Sequence, residues 1–503
     1  MISAAEKISM RGWRKLAAPL LPCLLSACQL VQFQPTATLN RIDLAQGYRL
    51  QKEMAQQNTK DSDVFAVVLF SGGGTRAAAL GYGVLEQLDR QPVWINGKQT
   101  TLFDNIDLVY GVSGGSVLAA YYALHGQETI PSFEKRFLKQ NLQRLMTKQV
   151  FSAANLPRLT SAEFGRSDLL QEQLESTLFG KATFGDLNKR RQGPFAVISA
   201  TDMSLGNRID FTQEYFDAMC LNLSDLRIAR AVAASSSVPL VFSPITLNNN
   251  GGHCGYVLPS RIQQSLVGSN AQNLQTANHR EFAQNLQEYT DSARRPYIHL
   301  LDGGMTDNLG LRSLLDTTQI YPNDLLYQQF SGGKVRKIVV ISVNARNHMA
   351  SEIDRSPAVP GVRDVASAII NIPIDQYSQE SLRSFRTFAD KWNNEAANNP
   401  QGHHVGLYFV SLNLQDLPES PLRQRVLNIP TSFYLPSGEI NDLKEAARLL
   451  MANSSEYKRL MQDLSAPAVE AQPAVAREGE GTGKQAMVQL YPGKASAAGY
   501  GWH

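Results

Sequence analysis

The sequence predicts an α/β fold built on a largely parallel central sheet with helices on both faces, and three observations carry that expectation. Short apolar runs recur at 64–70 (VFAVVLF), 106–110 (IDLVY), 195–200 (FAVISA), 297–301 (YIHLL) and 337–343 (KIVVISV). Their apolar residues do not alternate with polar ones, the pattern of strands buried on both faces. Between them, ALGYGVLEQLDR, SVLAAYYALHG and DLRIARAVAASS repeat apolar residues at helical spacing. Several runs also stop on glycine and serine clusters, such as SGGG after Phe70, which mark sharp strand-to-helix turns. The hydrophobic fraction of 43% and charged fraction of 18% are those of a globular chain. Neither suggests nucleic-acid binding, and no internal repeat is visible.

The first residues read separately. Lys7, Arg11, Arg14 and Lys15 against Glu6 alone put the net charge of +3 into the leader and leave the body formally neutral. The apolar run LAAPLLPCLLSA follows, too short to span a bilayer as a stable helix, and the layout is that of an export signal over residues 1–27. Leu25-Ser26-Ala27-Cys28 resembles the bacterial lipobox, which implies cleavage before Cys28 and lipidation of that residue. Several acyl chains at one cysteine suffice for stable anchoring. With Gln29 after the cysteine, the expected location is the outer membrane, on a face the sequence does not specify. Translation from Met10 would give a more compact leader.

Residues 28–60 then read as a polar tether with a short helix around 44–57, and 61–464 as the main domain. Two stretches interrupt the strand and helix alternation. Residues 248–296 open on NNNGGHCG, are rich in Asn and Gln, and carry one helix pattern at 279–289. Residues 350–402 hold ASAIINIPI and the helix-like QESLRSFRTFADKW, as packing or as the wall of a groove. GEINDLKEAARLLMANSSEYKRLMQ is an amphipathic helix pair, and the Ala/Pro/Gly/Glu-rich stretch 465–503 reads as a disordered tail. Only Cys220 and Cys254 fall in the body, as one disulfide in an oxidising compartment or as two buried thiols. Neither has a metal-ligand neighbour, so no zinc site is indicated.

The chemistry concentrates in three motifs. Gly111-Val112-Ser113-Gly114-Gly115 follows an apolar run and opens a helix pattern, the context a nucleophile elbow requires; the pentapeptide alone is a weak signal. Ser71-Gly72-Gly73-Gly74-Thr75-Arg76 also joins a strand to a helix, and its bare N–H groups suit an oxyanion. It lacks the lysine of a P-loop and the spacing of a dinucleotide loop. Leu301-Asp302-Gly303-Gly304 puts a carboxylate at a strand end. The strands' carboxyl ends would gather all three on one rim. Asp307 reads as a loop cap, His299 as a packed strand residue, and Ser235-Ser236-Ser237 as structural and lining the site.

In that order and context, the three motifs resemble those of the patatin-like phospholipases, over roughly residues 64–312 and more loosely to about 464. Ala229 to Ile245 (ARAVAASSSVPLVFSPI) also resembles the family's segment between serine and aspartate, whereas Ala77 stands where glycine is usual. The resemblance implies a patatin-like fold and a serine acyl hydrolase of phospholipid esters, working through a Ser113–Asp302 dyad and an acyl-enzyme. Gly72, Gly73, Gly74 and Gly114 would form the oxyanion hole, with Arg76, Gly111, Gly115, Gly303 and Gly304 in support. Arg76 would orient the loop or meet an anionic head group. No metal, cofactor or protein partner is implied. Two other readings stand beside it: a triad esterase using His403 or His404, with His348 a further late histidine, and a non-catalytic envelope scaffold.

Overall fold

A computed structural model describes residues 31–57, 60–258, 263, 274–320, 334–346, 357–398 and 404–465. The leader with Cys28 and the tail from 466 lie outside them, as do His348 and His403. After α1 (Leu50–Gln57), strand β1 (Val64–Phe70) runs into α2 (Gly74–Arg90). A hairpin of β2 (Pro92–Ile95) and β3 (Lys98–Thr101) precedes β4 (Ile106–Val112) and α3 (Gly114–His125). Helix α4 (Arg166–Leu174) leads to β5 (Phe195–Asp202), β6 (Arg208–Asp210), α5 (Ile228–Ser235) and β7 (Ile245–Asn248). Helix α6 (Leu274–Glu288), β8 (Tyr297–Asp302), α7 (Gly304–Asp307), α8 (Leu311–Ile320) and β9 (Lys337–Asn344) follow. Helix α9 (Val362–Asn398), β10 (Gly406–Asn413), α10 (Ser437–Asn453) and α11 (Ser455–Asp463) complete the described order.

The main sheet runs β10-β9-β1-β4-β5-β8-β7, with β6 also on β5. From β10 to β5 every pairing is parallel, and β1, β4 and β5 are buried along their whole length. This matches the unbroken apolar runs, since helices must cover both faces of such strands. The step from β1 to β4 and the step from β9 to β10 go opposite ways along the sheet. Right-handed crossovers therefore put α2 and α3 on one face and α9 on the other.

The expectation of a parallel edge at 297–301 is corrected: β8 runs antiparallel to β5, as do β7 to β8 and β6 to β5. An apolar run reads alike in either direction, so only pairing reveals it. Strands β2, β3, β6, β7 and β10 have no counterpart among the apolar runs of the sequence, being short or preceded by polar stretches. Helix α1 starts at Leu50 rather than 44, and α6 spans Leu274–Glu288 rather than 279–289. The two fragments expected within 350–402 are one helix of 37 residues that carries Pro373 internally.

Candidate active site

Strand β4 ends at Val112, and Ser113 takes φ +51° and ψ −122° before α3 begins at Gly114. A side-chain-bearing residue is sterically strained at positive φ, and such strain persists only where the surroundings fix it. Here Ser235 at the end of α5 does so: its Oγ accepts the Ser113 N–H at 2.8 Å and donates to the Ser199 carbonyl of β5 at 2.6 Å. The turn also lets the Ser113 carbonyl accept from Ser116 Oγ at 2.6 Å, closing the first turn of α3.

Asp302 reaches Ser113 across β5. Val112 is level with Ser199, so Ser113 follows at the level of Ala200, and Ala200 pairs with Asp302. Because β8 is antiparallel, Asp302 arrives at this rim by descending past the end of β5 and stopping, not by a parallel strand ending there. Ser113 Oγ donates to Asp302 Oδ2 at 2.7 Å, and the Gly304 N–H donates to Oδ1 at 2.8 Å. The Asp302 N–H donates to the Ser237 carbonyl, the Gly303 N–H to the Ser235 carbonyl, and Thr201 Oγ1 to the Asp302 carbonyl. Both side chains, Ser113 and Asp302, are buried. Burial raises the Asp302 pKa to about 6, against the opposing pull of the Ser113 and Gly304 hydrogen bonds.

The glycine loop closes the site from β1. Gly114 packs on Gly74 so tightly that a Cβ there would lie 2.0 Å from the Gly74 carbonyl oxygen. Gly74 itself has φ +61° and backs onto the Ser432 carbonyl, which also accepts the Thr75 N–H at 2.9 Å. No acceptor among the described residues engages the N–H groups of Gly73, Gly74 or Gly114. Gly72 differs from its expected role: its N–H is held by the carbonyl and the side-chain oxygen of Asn308, both at 3.1 Å, and is not free for an oxyanion.

Arg76 is 3% exposed and turned into the protein. It donates to the carbonyls of Ala345 and Ile429 and to Thr431 Oγ1, at 2.8, 2.6 and 3.2 Å. Of its two expected roles the geometry favours loop clamping, and burial lowers its pKa to about 10. Gly111 sits in β4 beside Phe70, and Gly115 in the first turn of α3.

Asp307 accepts the Ser313 N–H at 2.8 Å in the first turn of α8, consistent with a capping role. His299 is corrected: it is exposed, its Nδ1 paired with Thr246 Oγ1 at 2.9 Å. His404 is exposed two residues before β10, which begins level with Lys337 and Val64 at the opposite rim. A strand of seven or eight residues separates the rims by about 23–26 Å, far from Ser113. Cys220 and Cys254 are joined in a disulfide. Ser235 and Asn308 are functional groups that the sequence alone does not assign; nothing local in SSSVP or TDNLG says which backbone each will hold.

A cavity of about 210 Å³ lies at the far rim, between Lys60, Asp107 and Arg191, whose charges are taken by the pairs Lys60–Asp107 and Glu53–Arg191. No group of acids, histidines and cysteines suited to a metal ion occurs among the described residues, and no helix among them is long and apolar enough to cross a membrane.

The chain was compared with known families and solved structures. The family model for patatin-like phospholipase matches residues 68–315, a span that holds the glycine loop, Ser113 and Asp302. No curated protein sequence matches. Among solved structures, human GIVD cytosolic phospholipase A2 is similar at 12% identity and a TM-score of 0.43, over 82% of this chain and 64% of that one. The chain thus spans less than two thirds of that protein's length. VipD from Legionella pneumophila is similar at 12% identity and a TM-score of 0.31, over 88% of this chain and 73% of that one. On its mostly parallel sheet, residues 68–315 of this chain form a patatin-like phospholipase domain.

Proposed function

We propose that the protein is a serine acyl hydrolase of phospholipid esters working through Ser113 and Asp302. The observation that carries this reading is the 2.7 Å hydrogen bond between two buried side chains, with no histidine among the described residues joining them. Asp302 accepts the Ser113 proton as Oγ attacks the ester carbonyl. The negative oxygen then forms against the N–H groups of Gly73, Gly74 and Gly114, with the N-terminus of α3 behind them. Collapse breaks the bond to the alcohol, which leaves with the proton from Asp302. Water, deprotonated by the same carboxylate, attacks the acyl-Ser113 ester, releasing fatty acid and restoring the hydroxyl.

The mature chain is proposed to be held at the outer membrane by lipidated Cys28, ahead of the hydrolase domain. The test is fluorophosphonate labelling and fatty-acid release from phospholipid vesicles by wild type, Ser113→Ala, Asp302→Asn and a His403→Ala/His404→Ala chain. Activity lost in the first two variants and kept in the third supports the dyad. Activity lost in the histidine variant and kept in Asp302→Asn favours a triad. Radiolabelled palmitate incorporated by wild type but not by Cys28→Ser tests the anchor.

A further inference from the structure

Helix α9 is far longer than the strand it serves. Its 37 residues rise about 55 Å, whereas the eight residues of β10 cover only about 26 Å. Its C-terminal half is fixed to that strand: the Asn393 side chain bonds the backbone N–H and carbonyl of Leu407, Trp392 Nε1 donates to the Val405 carbonyl, and the Phe385 ring packs tilted on Phe409 with centroids 4.6 Å apart. Counted back from that register, residues 362–377 form the N-terminal stretch of about 24 Å, beyond the part of the helix fixed to β10. Its base is tied beside the candidate site. Asp375 pairs with Arg346 at 3.2 Å, Arg312 lies 5.8 Å from the Tyr377 ring, and α9 packs on α7, the helix that follows Asp302.

This stretch exposes apolar residues in a single stripe. Val362, Val365, Ile369 and Ile372 are spaced by three, four and three residues, and Val362 and Ile369 are 88% and 68% exposed. From Val365 to Ile374 there is no ionisable side chain. A second apolar element stands on the same rim. Leu240, 70% exposed at φ +70°, and Val241 lie three and four residues after Ser237, whose carbonyl holds the Asp302 N–H. Each element has an exposed cation at its base: Arg312 near Tyr377, and Arg166, which donates to the Leu240 carbonyl at 3.1 Å. The described chain also begins on this side, at Val31, whose carbonyl accepts from Ser161 Oγ beside the Glu163–Arg166 turn.

We infer that the rim around Ser113 and Asp302 seats on an anionic lipid bilayer, with the α9 stripe and the Leu240–Val241 loop inserted in the acyl region and Arg312 and Arg166 at head-group level. A planar bilayer accepts apolar insertions from two elements far apart in sequence, and its interface suits a tyrosine and cations placed just above them. A groove-binding protein segment would need one continuous apolar track. This inference rests on the proposed hydrolysis of membrane lipids and supplies its docking face.

The test uses the full chain carrying Cys28→Ser, so that lipidation contributes nothing, floated with vesicles of phosphatidylethanolamine and phosphatidylglycerol. Val365→Glu/Ile369→Glu/Ile372→Glu, and separately Leu240→Ser/Val241→Ser, are expected to lower vesicle binding by about 100-fold and about 10-fold. Turnover of a dissolved short-chain ester is expected to stay unchanged, which also reports that the variants fold. Ile369→Trp is expected to retain binding, with the fluorescence of the introduced indole shifted to the blue on vesicles. Vesicle binding undiminished in both multiple variants, or an indole spectrum of the Ile369→Trp chain unmoved by lipid, overturns the inference. So does conversion of a dimer to a monomer by the glutamate variant, which would make the stripe a seam between copies. Vesicle binding without ester turnover by the parent chain would instead remove the hydrolase reading and leave the lipid surface standing.

Discussion

Ser235 Oγ accepts a hydrogen bond from the backbone N–H of Ser113 and donates its own O–H to the carbonyl of Ser199, so one hydroxyl pins the strained turn of the candidate nucleophile to the neighbouring strand. Ser235→Ala would leave a buried N–H and a buried carbonyl without that partner, a cost of about 1–3 kcal/mol for each group so stranded. Ser113 then relaxes from its positive φ and moves away from Asp302. The expected result is a fall in kcat of about 10- to 100-fold with KM little changed. Recovery in Ser235→Thr, which restores the hydroxyl, separates positioning from general loss of packing. Equal kcat in wild type and Ser235→Ala would show that the turn holds without this bond.

A carboxylate base must be ionised to take a proton. Asp302 has its pKa raised to about 6 by burial, so kcat/KM is expected to climb with pH through about 6 and to level above it. An unperturbed aspartate would put the same rise near pH 4. Asp302→Asn is expected to lose about 10²- to 10⁴-fold in turnover and, with it, this ascending limb. Stopped assays of a dissolved ester from pH 4 to 9 give both results; a rise centred near pH 4 would assign the base to a less buried group.

The contact between Gly114 and Gly74 holds the elbow and the glycine loop in one relationship. With a Cβ at Gly114 placed 2.0 Å from the Gly74 carbonyl oxygen, Gly114→Ala must push the two segments apart. The N–H groups proposed to meet the oxyanion would separate, and loss of one such donor costs about 10²- to 10³-fold in kcat. The expected variant is folded, with near-normal circular dichroism, and labels with fluorophosphonate at a rate reduced by a similar factor. Labelling at the wild-type rate would mean that these donors do not meet the reacting oxygen.

What can be read from the residues is local. SGGG, GVSGG and LDGG each mark a place where chain segments pass too closely for side chains, and glycine pattern records such crowding directly. Which hydrogen bonds those backbones make is not local. Gly72 looks like its neighbours in the sequence, yet Asn308, 236 residues on, takes its N–H. Strand direction is hidden for the same reason: YIHLL is equally apolar whether β8 ascends or descends, and only its register with β5 shows the descent. Helix α9 reads as two pieces in the sequence because proline destabilises a helix interior by about 3 kcal/mol, a cost that its anchored C-terminal half offsets.

The Cys220–Cys254 disulfide closes a loop of 34 residues in sequence separation and ties the turn ahead of α5 to the start of the 248–296 stretch. Chain entropy assigns such a closure about 3–4 kcal/mol. The Cys220→Ser/Cys254→Ser chain is expected to unfold at a lower urea concentration by about that free energy. Reductant should shift wild type toward it and leave the double variant unmoved. In a chain of residues 29–503, which holds no other cysteine, two thiols titrated in the denatured, unreduced protein would show that the pair is not formed.

Asp307 offers a stability test independent of turnover. Its carboxyl is buried, Oδ2 accepts the Ser313 N–H, and Oδ1 has no hydrogen-bond partner among the described residues. Desolvation raises its pKa to about 6, only partly countered by Arg208 at 4.0 Å. A raised carboxylate pKa means that the folded state holds the proton more tightly than the unfolded one, so stability is lost as pH rises from about 4 to about 6 and stays lost above. A rise from about 4 to about 6 sets an upper bound of about 3 kcal/mol on that loss. Asp307→Asn keeps an acceptor for Ser313 and leaves Arg208 its bonds to Asp210 and Asp316. The variant is therefore expected to be more stable than wild type by about 1–3 kcal/mol at pH 8 and to show no advantage at pH 4. Urea midpoints at the two pH values decide it: an advantage of equal size at both would trace to packing, and none at pH 8 would mean that Arg208 already compensates the buried charge in full.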